Sequence, residues 1–226
     1  MNRDFCPPIR DQLSCGSCIS FGTIGIWETK YNKIYHQIID LSEKHLFSCS
    51  GGNCLNGSYI EDALQQTTRG VALEQDLHYD GYNCKCEQYL PNDWWKRGKK
   101  VANWETISGI ENIKTRVIEE PLIGLMTVHE SFKAYISGVY HNLGPTDPSA
   151  GDHCVGLIDY DINNDAFLLR NSWGLDWGMS GYAWIRSDQI KTKAYALVPT
   201  DVPLPTQPSP PNLWTWLITI IRRIFG

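Results

Sequence analysis

Apolar positions in the first part of the chain recur at helical spacing, and those in the second part come in short runs. Between Cys18 and about Tyr35, the residues Phe21, Ile24, Trp27 and Tyr31 follow one another at steps of three, three and four, which predicts one long helix. Ser42 is placed to cap a short helix over Glu43 to Cys49. Ser58 to about Thr68 predicts a third helix, closed by Gly70. The second half predicts strands at Pro121 to Val128, Ala134 to Tyr140, Cys154 to Tyr160, Ala166 to Asn171 and Tyr182 to Ile185. Each is short, rich in β-branched and aromatic residues, and bounded by Gly, Pro, Asp or Asn. Asn163-Asn164 supplies a hairpin turn between two of them. Helices first and strands second imply an α+β chain of two lobes with a cleft between them.

Past Pro199 the pattern changes. Six prolines fall between Pro199 and Pro211, a composition that favours an extended, semi-rigid spacer. The apolar stretch from Leu213 to Phe225 is too short to span a bilayer, which takes about 20 residues. Drawn as a helix, it puts Thr215, Thr219 and Arg222 on one stripe and Leu213, Trp216, Leu217, Ile220 and Ile224 on the other side. Such a helix suits a membrane interface, or docking on the chain's own body or a partner. The expected division is therefore 1–104, a mainly helical lobe; 105–198, a mainly β lobe; 199–212, a Pro-rich linker; and 213–226, an amphipathic helix.

Composition narrows the class. At 226 residues and 42% hydrophobic, the chain can bury a sizeable core and is neither disordered nor collagen-like. A net charge of -5 carries no nucleic-acid footprint. The N-terminal residues hold no apolar run of signal-peptide length. Eight cysteines are too few for a pure disulfide scaffold and many for an ordinary cytosolic enzyme.

One cysteine stands where chemistry is favoured. In Arg10-Asp11-Gln12-Leu13-Ser14-Cys15-Gly16-Ser17-Cys18-Ile19-Ser20-Phe21, Cys18 opens the long helix, where backbone N–H groups and the helix dipole favour a thiolate. A base is available in Asp152-His153-Cys154-Val155, at the start of a strand. Asn171, in Asn171-Ser172-Trp173-Gly174-Leu175-Asp176-Trp177-Gly178, closes the next strand and can accept the imidazole N–H. Gln12 can donate its amide N–H to a developing oxyanion, with the backbone N–H of Cys18 as second donor.

These motifs, with Leu41-Ser42-Glu43 to Cys49, Asn56-Gly57 and Gly181-Tyr182, resemble the papain family of cysteine peptidases over nearly all of residues 6 to 198. The resemblance implies a papain-like two-lobed α+β fold, with a helical lobe and an antiparallel β-barrel-like lobe. It implies a cysteine endopeptidase that works through a thiolate–imidazolium pair and an acyl-enzyme on a polypeptide substrate. Cys18 would be nucleophile, His153 general base and acid, Asn171 its orienter and Gln12 the oxyanion donor. Trp173 would cover the His–Asn bond, and Trp177 would flank the leaving group. Asn56, Gly57 and Ser58 would pair with the substrate backbone, and Asp152 would border its path. The main specificity pocket would be lined by Tyr59, Ile60, Leu125, Gly151 and Cys154, implying a hydrophobic residue two before the cut bond. No metal and no cofactor are implied. An inhibitory propeptide, not present in this chain, is an implied partner. Two departures stand out: Ile19 follows Cys18 where the family usually has Trp, and Asn53-Cys54-Leu55-Asn56-Gly57-Ser58 carries one inserted residue and a Ser in place of the last Gly. Rival readings are a catalytically silent binding protein of the same fold, and a transpeptidase or ligase on the same acyl-enzyme.

With Cys18 assigned to chemistry and Cys154 expected to pack inward, six cysteines remain to pair. The resemblance pairs Cys15 with Cys54 and Cys49 with Cys84 or, preferably, Cys86, which leaves Cys6 for Cys84. A zinc set from Cys49, Cys54, Cys84 and Cys86 lacks the usual finger spacing. Three bridges would place the protein in an oxidising compartment: secreted, a lysosomal or vacuolar lumen, or a virion.

Overall fold

The computed structural model describes residues 2–201. The spacer beyond residue 201 and the expected helix at 213–226 lie outside the described residues. The first half carries α1 (Cys18–Tyr35), α2 (Glu43–Cys49) and α3 (Ile60–Arg69). Then come β1 (Val101–Ser108), α4 (Ile110–Glu119), β2 (Leu122–His129), the short α5 (Glu130–Lys133) and β3 (Val139–Tyr140). The chain continues through β4 (Ser149–Asp161), β5 (Ala166–Arg170), β6 (Tyr182–Arg186) and β7 (Ile190–Pro199). No described helix is long and apolar enough to cross a membrane.

From Ile19 to Tyr31 the helix α1 is buried on all sides, because it runs between the other helices and the sheet. Its large residues Ile24, Ile26, Trp27 and Tyr31 fill the core. Its small residues let the sheet come close. A Cβ on Gly22 would meet Cys154 Sγ at 2.6 Å, and one on Gly25 would meet Arg170 Nη1 at 2.8 Å. Ser42 caps α2 as expected, its hydroxyl accepting the His45 N–H at 3.0 Å. Gly70 follows α3 at φ 132 and ψ 152, a conformation that only glycine adopts without strain.

The sheet has seven strands in the order β1-β7-β2-β4-β5-β6-β3. Every pair is antiparallel except β3 with β6, so the expected α+β fold holds, its barrel-like sheet being mixed and open. Tyr195 and Leu197 of β7 and Ile158 of β4 join the α1 core, while Leu157, Ala194 and Ala196 join a second core with Ile113 and Val117 of α4. Three elements depart from the sequence pattern. The strands β1 and β7 and the helix α4 come from polar-rich segments whose exposed faces mask the period: β1 buries only Val101 and Ile107. The expected strand at Ala134 to Tyr140 is instead the turn that follows α5, an irregular stretch and the two-residue β3. The turn after α5 brings Phe132 and Tyr135 together against Trp177, with centroids 5.0 and 5.6 Å away.

The chain ends tie the two halves together. Asn2 Nδ2 donates to Val117 O and Ile158 O on the sheet side. At the other end β7 returns to α1, where Lys30 bonds Leu197 O and Tyr35 Oη donates to Pro199 O at 3.3 Å. The expected boundary at 104/105 falls inside β1.

The cysteines form two bridges, Cys15–Cys54 and Cys49–Cys86. Cys6 and Cys84 are free thiols, which corrects the expected third bridge. They sit far apart in the fold: Cys6 Sγ donates to Asn2 O beside the sheet, and Cys84 Sγ lies 2.9 Å from Ser48 Oγ of α2. Each bridge closes a loop of nearly forty residues, worth about 4 kcal/mol on chain-entropy grounds. Two such bridges fit an oxidising compartment.

Candidate active site

The loop before α1 is built to present Cys18. Gly16 N donates to Cys54 O at 2.9 Å, and the adjacent Cys15–Cys54 bridge anchors the loop. A Cβ on Gly16 would press on Cys54 O and Gly57 N at 3.1 Å, so the backbone packing there needs glycine. Cys18 then takes the first position of α1, directly after the Ser17 cap residue.

Opposite it, β4 carries His153. Its Nε2 lies 2.8 Å from Asn171 Oδ1. The same Oδ1 accepts the Ser172 N–H at 2.9 Å, which fixes the amide with its oxygen toward the ring. His153 Nε2 therefore carries the hydrogen, and Nδ1 is left as the basic nitrogen. Trp173 stacks on the imidazole at 4.9 Å and 29° and shields this bond from water.

Cys18 and His153 line one cleft of about 450 Å³, with Gly16, Ile19, Leu55, Asn56, Gly57, Ser58, Leu125, Ala150 and Asp152. Burial raises the Cys18 thiol, against backbone N–H bonds from Cys154, Ile19 and Cys18 itself that favour the thiolate. Burial likewise holds the His153 imidazole down at about 4, while the Asn171 bond favours its charged form. Both shifts oppose an isolated charge. Proton transfer from Cys18 to His153 would create two opposite charges together, whose attraction would offset part of the burial cost. Lys191 Nζ pairs with Asp152 Oδ2 at 2.6 Å and holds that carboxyl below its ordinary range.

Gln12 is locked against the loop that precedes Cys18. Its Nε2 donates to Cys15 O at 3.0 Å, and its Oε1 accepts the Ser172 hydroxyl at 2.6 Å. An amide nitrogen has two hydrogens, so one remains for an oxyanion. The segment around Gln12 pairs with the one around Trp173, through Gln12 N to Ser172 O at 2.8 Å and Gly174 N to Arg10 O at 3.2 Å. Ser172 and Tyr79 were not singled out in the sequence. Ser172 sits inside a motif already noted, whereas Tyr79 had no signal at all. Tyr79 Oη donates to Gln12 O at 2.7 Å and contacts Ser17 Oγ at 2.7 Å, bracing the loop from a distant segment.

Some expected cleft residues lie elsewhere. Cys154 is 1% exposed and packs against Gly22 of α1, and Ile60 is buried in the same core, so neither faces the cleft. Trp177 is also buried. It packs edge-on to Trp173 at 5.2 Å and donates from Nε1 to Phe132 O, which makes it a buttress under Trp173. Tyr59 and Gly151 are exposed beside the cleft lining without being part of it. Leu55 and Ala150 join the walls instead.

Residues 2–199 match the family described as papain family cysteine protease. Thiol protease aleurain of Arabidopsis thaliana is 32% identical over 188 residues, covering 77% of this chain and 51% of that protein. A viral cathepsin of Cydia pomonella granulosis virus is 29% identical, covering 80% of this chain and 54% of that protein. The chain thus spans about half the length of the curated relatives it matches. Two solved structures share the fold at 22% identity and a TM-score of 0.72. One is the Carica candamarcensis cysteine protease CMS1MS2 in complex with E-64, covering 87% of this chain and 94% of that one. The other is the bromelain protease of Ananas comosus with the E64 inhibitor, covering 87% and 96%. On the match over residues 2–199, the chain belongs to the papain family of cysteine proteases.

Proposed function

We propose that this chain is a cysteine endopeptidase in which Cys18 attacks the peptide carbonyl and His153 moves the proton. The observation that carries the reading is the shared cleft: Cys18 at the start of α1 and His153 on β4, with Asn171 holding His153 Nε2. In the proposed cycle His153 Nδ1 takes the Cys18 proton, and the thiolate adds to the substrate carbonyl. The free N–H of Gln12 and the backbone N–H of Cys18 receive the oxyanion. His153 then protonates the leaving amine. Water, deprotonated by the same imidazole, releases the acyl group and restores Cys18.

Leu55, Leu125, Ala150 and Ile19 give the cleft apolar walls, which supports a preference for a hydrophobic side chain two residues before the cut bond. Gly57 and Ser58 border the same cleft and would pair with an extended substrate backbone. An inhibitory propeptide would compete for this path, and a secreted, vacuolar or virion setting suits the two bridges. The test is labelling with an irreversible epoxide probe, with Cys18→Ala as control. Label that depends on Cys18 is expected; its absence from folded protein would overturn the enzyme reading. Cleavage of a peptide library showing Arg or acidic preference at that position would overturn the specificity.

A further inference from the structure

Two residues of the loop before α1 meet on one hydroxyl from a distant segment. Tyr79 Oη donates to Gln12 O at 2.7 Å and lies 2.7 Å from Ser17 Oγ. A carbonyl only accepts, so the single phenolic hydrogen goes to Gln12 O, and the Ser17 hydroxyl donates its own to Tyr79 Oη. Ser17 is 0% exposed and Gln12 7%, so both bonds end on groups shielded from water. The ring itself is fixed twice. Phe21 packs edge-on against it, with centroids 4.7 Å apart at 88°, and the Tyr79 N–H is donated to Glu74 Oε1 at 2.8 Å.

The loop needs such a tie. Leu13, next to Gln12, has φ 56, a left-handed conformation that is strained for a leucine. Its side chain is 57% exposed, so burial does little to hold that conformation. Strain of this kind persists only where the surroundings over-determine the backbone. On one side Asp11 Oδ1 accepts the Leu13 N–H at 2.7 Å. On the other, Gln12 is bonded at four points: its N–H and Oε1 to Ser172, its Nε2 to Cys15 O and its C=O to Tyr79. The Tyr79 bond continues through one oxygen to Ser17, the residue before Cys18.

Gln12 carries one proposed oxyanion donor, and Cys18 carries the other. We infer that Tyr79 is a positioning residue for the oxyanion site, its hydroxyl setting the Gln12 amide against the Cys18 backbone N–H, a role that rests on the peptidase reading above. Tyr79 does not line the cleft, so it acts through Gln12 and Ser17. Donors held in place beforehand need no reordering as the negative charge forms. Loosening them should raise the barrier to the tetrahedral intermediate. Substrate binding and the reactivity of the thiolate should stay as they were.

The test compares full-length wild type, Tyr79→Phe, Gln12→Ala and the double variant on one peptide substrate. Tyr79→Phe keeps the ring on Phe21 and removes only the hydroxyl. Its kcat should fall about tenfold with KM unchanged, against about 100-fold for Gln12→Ala, which deletes a donor outright. On the Gln12→Ala background the same change should cost less than about threefold, because one of the two donors it positions is already gone. Alkylation of Cys18 by iodoacetamide, mapped by mass spectrometry, forms no oxyanion, so its rate and pH profile should match wild type. Equal losses of kcat with and without Gln12 would overturn the proposal. So would slowed alkylation, which would place the effect on the thiolate. Wild-type kcat in Tyr79→Phe overturns it too and leaves the peptidase reading standing, whereas wild-type protein that neither cleaves nor takes the epoxide probe overturns both. If Tyr79→Phe does not fold, Ser17→Ala cuts the same bridge from its other end. It must lower kcat at constant KM with alkylation unchanged, and an undiminished kcat refutes the positioning role.

Discussion

Replacing Glu43 by Gln should remove most of the loss of stability that the protein suffers at alkaline pH. Glu43 is 2% exposed at the start of α2, with Arg10 Nη1 3.5 Å from its carboxylate. That one guanidinium also serves Asp40 and Glu74, and the fully buried Glu28 lies in the same cluster. Burial is the larger effect and Arg10 only partly opposes it, so the Glu43 carboxyl is pushed up to about 8, with Glu74 adding to the rise. A carboxyl raised in the folded state binds more protons there than in the unfolded chain. Its contribution is complete below pH 4.5 and is lost as pH rises through about 8, on the order of 5 kcal/mol over that range. His153 and His45 work in the opposite sense. Both are held at about 4 by burial, so their contribution is complete above pH 6.5 and lost as pH falls toward 4. A window from pH 6.5 to 8.5 therefore sets the raised carboxyls, Glu43 and the buried Glu28 beside it, apart from the histidines, and about 2 kcal/mol should be lost there through Glu43. Urea unfolding of Cys18→Ala protein should show the midpoint falling by about 1 M across this window. With Glu43→Gln added, the fall should be at most half as large. An equal fall in both proteins would refute the assignment of the raised carboxyl.

Other expectations follow from single contacts. Asn171→Ala removes the acceptor that fixes the His153 tautomer and should lower kcat/KM about 100-fold while changing the pH profile; an unchanged profile would mean that the bond is only structural. Gly25→Ala drives a Cβ to 2.8 Å from Arg170 Nη1, whose neighbour Nη2 holds Pro7 O and Pro8 O, and should cost about 1–3 kcal/mol in urea unfolding. For the tail, full-length protein should float with anionic liposomes and a 1–198 truncation should not; equal flotation would remove the membrane role.

Much of the site was legible because its chemistry is local. Cys18 at a helix start, Ser42 as a cap and Gly70 as a stop each follow from a few neighbouring residues. The elements that were missed lack such signals. The strand β1 buries two of its eight residues, so its period is faint until β7 pairs with it. Two cysteine pairs stand as expected and only the third does not: Cys6 and Cys84 were joined by elimination, and elimination carries no distance.

By itself the sequence determined which residue types stand where a reactive thiol, a base and an orienting amide are needed, since those depend on helix starts, strand ends and side-chain chemistry. Only the tertiary structure decided which side of a residue faces the cleft. Cys154 turned toward Gly22 because α1 has no side chain there, and Trp177 turned under Trp173 because Phe132 and Tyr135 closed around it. It also decided the His45 tautomer, through a backbone N–H from Ala72 that lies far from it in the chain. The physical reason is common to all three: burial direction and hydrogen-bond partners are set by whichever distant segment packs closest, and no local pattern encodes that neighbour.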